Sequence, residues 1–241
     1  MFTFIDEKKK QLDQKLPLPK HTLNSLREKM LVEWTYHSNA IEGNTLTMNE
    51  TKVVLEGITV GGKTMREHLE VINHRDAILY VEDIVQKNEP FSEWQIKNLH
   101  RLVLKGIHDD YAGVYRDQQV FIAGAQHTPP PHFRIQEEMD IMMEWFNGEA
   151  QDLHPIERAA KLHAIFVGIY PFIDGNGRTS RLLLNLELMK AGYPPIIFKI
   201  QNRLAYYEAL DTAHTTKNYN DYILLTTSEV EDSLNLYLSV L

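Results

Sequence analysis

Cysteine is absent from the 241 residues. Disulfides, thiol nucleophiles and cysteine-based zinc sites are excluded with it. Positive charge is scarce: 25 Lys and Arg face 33 Asp and Glu, for a net charge of −8. A generic nucleic-acid binder presents a basic surface, so no broad attraction to DNA or RNA is expected, although a local basic pocket is a separate matter. No apolar run approaches the roughly 18 residues of a membrane span. The opening MFTFIDEKKKQLDQK lacks the basic stretch and apolar core of a secretory leader. A soluble cytoplasmic protein that binds no membrane is therefore expected. There is no H-E-x-x-H pair among the 11 histidines, so no zinc site is read from them. Internal repeats and low-complexity tracts are also missing.

What is present is helical. Hydrophobic residues make up 43% of the chain, enough for a core. Apolar residues recur at helical spacing from about Thr22 to Ile41, from Met65 to about Val85, and in SEWQIKNLHRLVLKG, FRIQEEMDIMMEWFNG, HPIERAAKLHAIFVGI, RTSRLLLNLELMKAGYPP and two C-terminal segments. Thr47 with Glu50 has capping-box spacing, Ser92 is a cap, and Pro155 sits where a first helical turn tolerates it. The segment Gly113–Pro131 is the exception. Its short β-prone runs VYR and VFI flank a polar turn and suggest a small hairpin. The reading is one mostly α domain with a β-hairpin flap, residues 21–241, preceded by an N-terminal extension at 1–20. GITVGGKT (57–64) fits the P-loop pattern, but helix-cap signals precede it and no strand–helix alternation follows. It is read as a connection between helices.

The stretch GIYPFIDGNGRTSRLL, Gly168–Leu183, carries the chemistry. Ile156, Ala159, Ala160, His163, Phe166, Val167 and Tyr170 share one stripe, which aims Tyr170 inward at the end of its helix. His163, on the same stripe, reads as a core histidine. Gly175-Asn176-Gly177 can adopt left-handed conformations that point successive N–H groups into one concavity, an anion nest. The next helix starts there, adding its unpaired N–H groups and positive dipole end. Arg178 and Arg181 lie on one face of its first turn, where cations oppose the dipole unless an anion sits between them. Asp174 adds a carboxylate suited to Mg2+ on a phosphate.

YPFIDGNGRTSR resembles the Fic-family signature H-P-F-x-x-G-N-G-R-x-x-R at every defined position but the first, where Tyr170 replaces histidine. The resemblance extends from roughly Ser38 to Tyr207. It implies a helical core with a β-hairpin flap, and transfer of AMP from ATP to a Ser, Thr or Tyr hydroxyl of a target protein or of the chain itself. By the same resemblance Asp174 would hold Mg2+, Gly175, Asn176 and Gly177 would cradle the phosphates, and Arg178 and Arg181 would neutralise the β- and γ-phosphates. Tyr206 and Tyr207 would lie beside the nucleoside, or are ordinary core aromatics. Val120, Phe121, Ile122, Ala123 and Gly124 would register the target's main chain by strand addition. SNAIEGN resembles the family's inhibitory motif, in a helix at about 22–43: Ser38 and Glu42 share a face, and Glu42 would pair with Arg181 and misplace the ATP. Members with such an N-terminal brake often self-associate, so a homo-oligomer is among the implied states.

Tyr170 bears on all of this. The family histidine takes the proton of the attacking hydroxyl, and a base works best with a pKa near the working pH. Tyrosine's reference value is about 10, so about one phenol in a thousand is ionised at pH 7. Arg178 and Arg181 are near enough in sequence to lower it. Losing a general base costs about 10²–10⁴-fold. Three functions follow: a restrained and impaired adenylyltransferase, a non-catalytic nucleotide-binding module, or an enzyme that removes AMP with Glu42 positioning water. A phosphate-transferring relative is disfavoured, because that branch has lysine at the position of Gly177.

Overall fold

Among the described residues, four α-helices start where a side chain accepts a hydrogen bond from a first-turn N–H. The computed structural model describes residues 2–17 and 19–240; Met1, Leu18 and Leu241, which belong to the expected segments 1–20 and 21–241, lie outside the described residues. Among the described residues there are ten α-helices: α1 Thr3–Asp13, α2 Lys20–Ile41, α3 Met48–Leu55, α4 Met65–Gln86, α5 Glu93–Leu104, α6 Ile135–Asn147, α7 Pro155–Ile169, α8 Asn176–Lys190, α9 Arg203–Thr216 and α10 Asn220–Leu238. Thr47 with Glu50 and Thr64 with Glu67 form capping boxes on α3 and α4, and Ser92 accepts from the Gln95 N–H on α5. Each such cap is worth about 1 kcal/mol. The P-loop-like run is the connection between α3 and α4: Gly57 and Gly62 turn the chain at positive φ, and Thr64 is the α4 cap.

α7 and α8 form the central hairpin. One side of α8 buries Leu182, Leu183 and Leu186 with Phe166, Phe172, Leu99, Val103 and Met139. The other side buries Leu184 and Leu188 with Tyr206, Tyr222, Val230 and the α1 residues Ile5 and Leu12. Each fully buried leucine contributes about 1.5–3 kcal/mol. Because α8 is covered on both sides, even the arginines of its first turn are buried. α1 packs along α10, where Lys8 donates to Glu231 and Asn235. No helix among the described residues is long and apolar enough to cross a membrane.

The expected hairpin is not formed. Among the described residues there is no strand; Gly113–Pro131 runs as turns and extended chain, and Phe121 is 80% exposed. The reason lies in the first arm, VYR: the Val114 N–H donates to Tyr111 O and the Arg116 N–H donates to Pro171 O, so neither is left to pair with VFI. Side chains hold the arms instead. The buried Arg116 guanidinium donates to the carbonyls of Gln118 and Pro130, and the Gln119 amide donates to those of Val120 and Pro129.

Candidate nucleotide site

α7 ends on Tyr170, whose φ of 53° and ψ of 57° are left-handed. A non-glycine residue there is strained by about 1–3 kcal/mol and must be held. Arg116 holds it: its Nε donates to Tyr170 O at 2.9 Å, and its backbone N–H donates to Pro171 O at 2.9 Å. The reversal aims the chain into the loop before α8. There Phe172 is fully buried and stacks on His100, with ring centroids 3.5 Å apart. Asn176 closes the loop with two bonds to one residue: Phe172 N–H donates to Oδ1 at 3.0 Å, and Nδ2 donates to Phe172 O at 2.8 Å.

His100 fixes the loop from below. The Gly113 N–H donates to its Nδ1 at 2.8 Å, so its proton is on Nε2, which donates to Asp174 O at 2.8 Å. Burial pushes its pKa down to about 4, and Arg178 acts in the same direction. The ring is therefore neutral, as this tautomer requires. Gly175 follows at φ 77°, and a Cβ there would press on Val103 and His100 at 3.2–3.3 Å.

The arginines of α8 occupy different environments. Arg181, 4% exposed, donates from Nε to Ser38 Oγ at 3.0 Å, and from Nη2 to Ser38 O and Glu42 Oε1, both at 2.8 Å. Burial disfavours its charge, but Glu42 and Tyr206 together outweigh that and raise its pKa. Glu42 caps the C-terminus of α2, and its carboxylate lies directly over Gly177, where any Cβ would collide with it. An anion therefore already rests on the N-terminus of α8. Arg178 is 2% exposed; its Nη2 reaches Asp174 Oδ1 at 3.3 Å and its Nη1 lies 3.5 Å from Glu70, while Nε and Nη1 have no hydrogen-bond partner. Buried guanidinium nitrogens without acceptors suit an anionic ligand.

Asp174 is surrounded by donors: Arg66 Nη2 at 2.6 Å, the Gly175 N–H at 2.6 Å, and Arg178. Burial opposes its charge, yet Arg178, that N–H and Arg66 together hold its pKa below the usual carboxylate value. An ionised oxygen donor fits Mg2+, which takes one or two protein carboxylates and completes its shell with water and phosphate oxygens. Among the described residues no three or more His, Cys, Asp or Glu gather to bind a metal unaided.

For Tyr170 the electrostatics run opposite to the sequence expectation. Its pKa is raised, first by burial and then by the Glu42 and Asp174 carboxylates, against a smaller effect of the Asn176 side chain. Neither arginine is among the groups that lower it; their carboxylate partners, Glu42 on Arg181 and Asp174 on Arg178, are the charges that raise it. The two tyrosines of α9 separate. Tyr206 is buried behind Arg181, which donates to its hydroxyl at 3.4 Å, and that hydroxyl lies 3.0 Å from His163 Nε2. Tyr207 reaches the surface, donates to Ile41 O at 3.2 Å and lies under Arg203. His163 is a buried core residue.

Sequence reasoning missed Arg66, Glu70, His100 and Arg116. None sits in a motif, and Arg66 contacts Asp174 across 108 positions. Only the arginine that ends VYR, a charge beside a β-prone run, was a visible cue.

A helical core that builds an anion site from the Pro171–Gly175 loop and the N-terminus of α8 defines the class. The Fic/DOC family model matches residues 90–188. A protein adenylyltransferase Fic of Nematostella vectensis is 41% identical over 219 residues, 89% of this chain and 50% of that protein. The chain spans about half the length of the curated relatives it matches. Solved structures agree. A Fic domain-containing signalling protein of Bacteroides thetaiotaomicron superposes with TM-score 0.87 at 30% identity, covering 97% of this chain and 96% of that one. Fic-1 of C. elegans, residues 134–508, gives TM-score 0.87 at 31% identity over 98% and 70%. The chain belongs to the Fic/DOC family.

Proposed function

We propose that this chain is an adenylyltransferase-type family member that binds ATP with Mg2+, is restrained by Glu42, and transfers AMP poorly because of Tyr170. The single observation that carries the reading is the Glu42 carboxylate seated on Arg181 above Gly177. A site that attracts an internal carboxylate, with two unpartnered Arg178 nitrogens beside it, has the chemistry of a polyphosphate site. Arg181 and Arg178 take the roles of γ- and β-phosphate partners, Gly175, Asn176 and Gly177 cradle the phosphates, and Asp174 holds the metal. Bound Mg2+ supplies charge neutralisation on the departing phosphates. Tyr207 lies along the nucleoside while Tyr206 supports Arg181 from behind. The exposed arm Val120–Gly124 takes the main chain of a protein target carrying a Ser, Thr or Tyr hydroxyl.

Tyr170 supports a second reading, a nucleotide-binding regulator. Its phenol, with a raised pKa, is neutral near pH 7 and a poor base. The two are separated with α-labelled ATP in a lysate, using this chain, Tyr170→His, and Tyr170→His with Glu42→Gly. The expected order of labelling rises along that series, by about 10²–10⁴-fold for restoring the base. If neither histidine variant labels any protein, the transferase reading fails. If ATP-Mg2+ also leaves thermal stability unchanged, nucleotide binding fails with it.

A further inference from the structure

Three of the hydrogen bonds made by Arg181 go to α2, to Ser38 Oγ, Ser38 O and Glu42 Oε1. A fourth goes to α9, where Nη1 donates to the Tyr206 hydroxyl at 3.4 Å. The phenol oxygen thus spends a lone pair on the guanidinium, and its own proton needs an acceptor. Among the described residues that acceptor is His163 Nε2 on α7, 3.0 Å away. Ser180 Oγ lies equally close to Nε2 but has an acceptor of its own, Gly177 O at 2.8 Å. Nε2 is therefore left to the phenol, and the ring proton is on Nδ1, which is buried with no partner among the described residues. Burial, with Arg181 acting in the same direction, pushes the His163 pKa well below its usual value, so the ring stays neutral and keeps that lone pair.

Packing alone does not call for a histidine here. The imidazole is fully buried among the rings of Tyr222, Tyr206 and Phe198, with centroids 5.1, 5.8 and 6.3 Å from its own. A phenylalanine would fill that space without leaving a buried N–H unpaired. What phenylalanine cannot supply is an acceptor for the phenol. We infer that His163 is a positioning residue of the nucleotide site: by accepting the Tyr206 proton it turns the phenol's lone pair to Arg181 and holds the guanidinium in place for the terminal phosphate once Glu42 gives way. This rests on the reading of Arg181 as the γ-phosphate partner. His163 acts only through Tyr206 and Arg181 and takes no part in bond making. A phosphate that displaces Glu42 removes one of the α2 bonds, whereas the bond from α9 is untouched by that exchange. Without the imidazole the phenol proton is orphaned, and the hydroxyl turns in search of another acceptor, away from the orientation that receives the Nη1 N–H.

The test takes the full chain with Glu42→Gly as parent, so that Arg181 is free for the phosphate, and adds Tyr206→Phe, His163→Phe, both together, or His163→Gln. Isothermal titration with ATP-Mg2+ and with ADP-Mg2+ gives the ratio of affinities, and thermal melts check folding. His163→Phe and Tyr206→Phe should each weaken ATP by about 3–10-fold, the range of one lost hydrogen bond, and ADP by less than about twofold. The double variant should lose no more than either single one, because both break the same line of bonds. His163→Gln, which keeps an acceptor near the place of Nε2, should retain the parent's affinity. Nitrogen-15 spectra of histidine-labelled parent and Tyr206→Phe need no change at His163: Nε2 should be unprotonated in the parent, and its resonance should move when the phenol oxygen is removed. These spectra decide the matter if His163→Phe does not fold. Equal losses for ATP and ADP would mean a general loosening of the core and overturn the inference. Unchanged ATP affinity in a folded His163→Phe, a loss as large in His163→Gln, or a proton on Nε2 would overturn it too, and each leaves the ATP-binding reading standing. A parent that binds no ATP overturns both.

Discussion

Replacing Glu42 by glutamine keeps the size of the side chain and removes its charge. In the structure that charge sits 2.8 Å from an Arg181 nitrogen that is almost fully buried. Two charges about 4 Å apart at an effective dielectric of about 20 attract by about 4 kcal/mol. Glu42 is about one-third exposed, so solvent screening reduces the part lost to about 1–2 kcal/mol. Two consequences of opposite sign follow. Without nucleotide, Glu42→Gln leaves Arg181 less compensated, and Tm falls by about 2–8 °C for a chain of this size. With ATP-Mg2+, the phosphate no longer displaces a carboxylate, and affinity rises about 5–30-fold, one decade per 1.4 kcal/mol. Isothermal titration with ATP-Mg2+ and thermal melts of both proteins, with and without nucleotide, measure both effects. A lower Tm with unchanged ATP affinity would refute the reasoning, because Glu42 and the phosphate would then not share a place. Tighter ATP with an unchanged apo Tm would refute the other half, the stabilising role of the pair.

Gly177→Ala places a methyl group against the Glu42 carboxylate. Alanine in a helix ordinarily gains about 1 kcal/mol over glycine; here chemical denaturation should show a loss of about 1–3 kcal/mol. Gly61→Ala, with nothing within 4 Å, should stay within about 0.5 kcal/mol. His100→Leu strands the Gly113 N–H and Asp174 O and should cost about 2–5 kcal/mol. His100 also gives the parent an acid sensitivity. Its folded pKa of about 4 lies below the unfolded 6.5, so the unfolded chain takes up the proton first and stability falls as pH drops from 6.5 towards 4. Its share reaches about 3 kcal/mol and should vanish from the pH–stability curve of His100→Leu, leaving those of His37, His74, His163 and His214, which burial also holds low. Asp174→Asn should abolish the Mg2+ dependence of the ATP-induced thermal shift; a shift that still grows with Mg2+ would place the metal elsewhere.

Helix positions, the anion loop and the glutamate on α2 were legible because their determinants are local. A cap bonds three residues on, a left-handed turn needs its own glycine, and two arginines three apart share a face whatever surrounds them. Long-range contacts decided the rest. Glu42 meets Arg181 across 139 positions, and Arg66 and His100 come to Asp174 from other helices. The direction of the Tyr170 shift depended on tertiary packing, because burial and then the Glu42 and Asp174 carboxylates raise it. Tyr206 and Tyr207 are adjacent in sequence, and only the packing of α9 on the core put one behind Arg181 and the other at the surface. The flap shows the same division: VYR and VFI have β propensity, but the Arg116 N–H at the end of VYR is taken by Pro171 O, far along the chain. Local chemistry thus set which segments turn and cap; the burial of charges against partners far along the chain set which are paired and which are not.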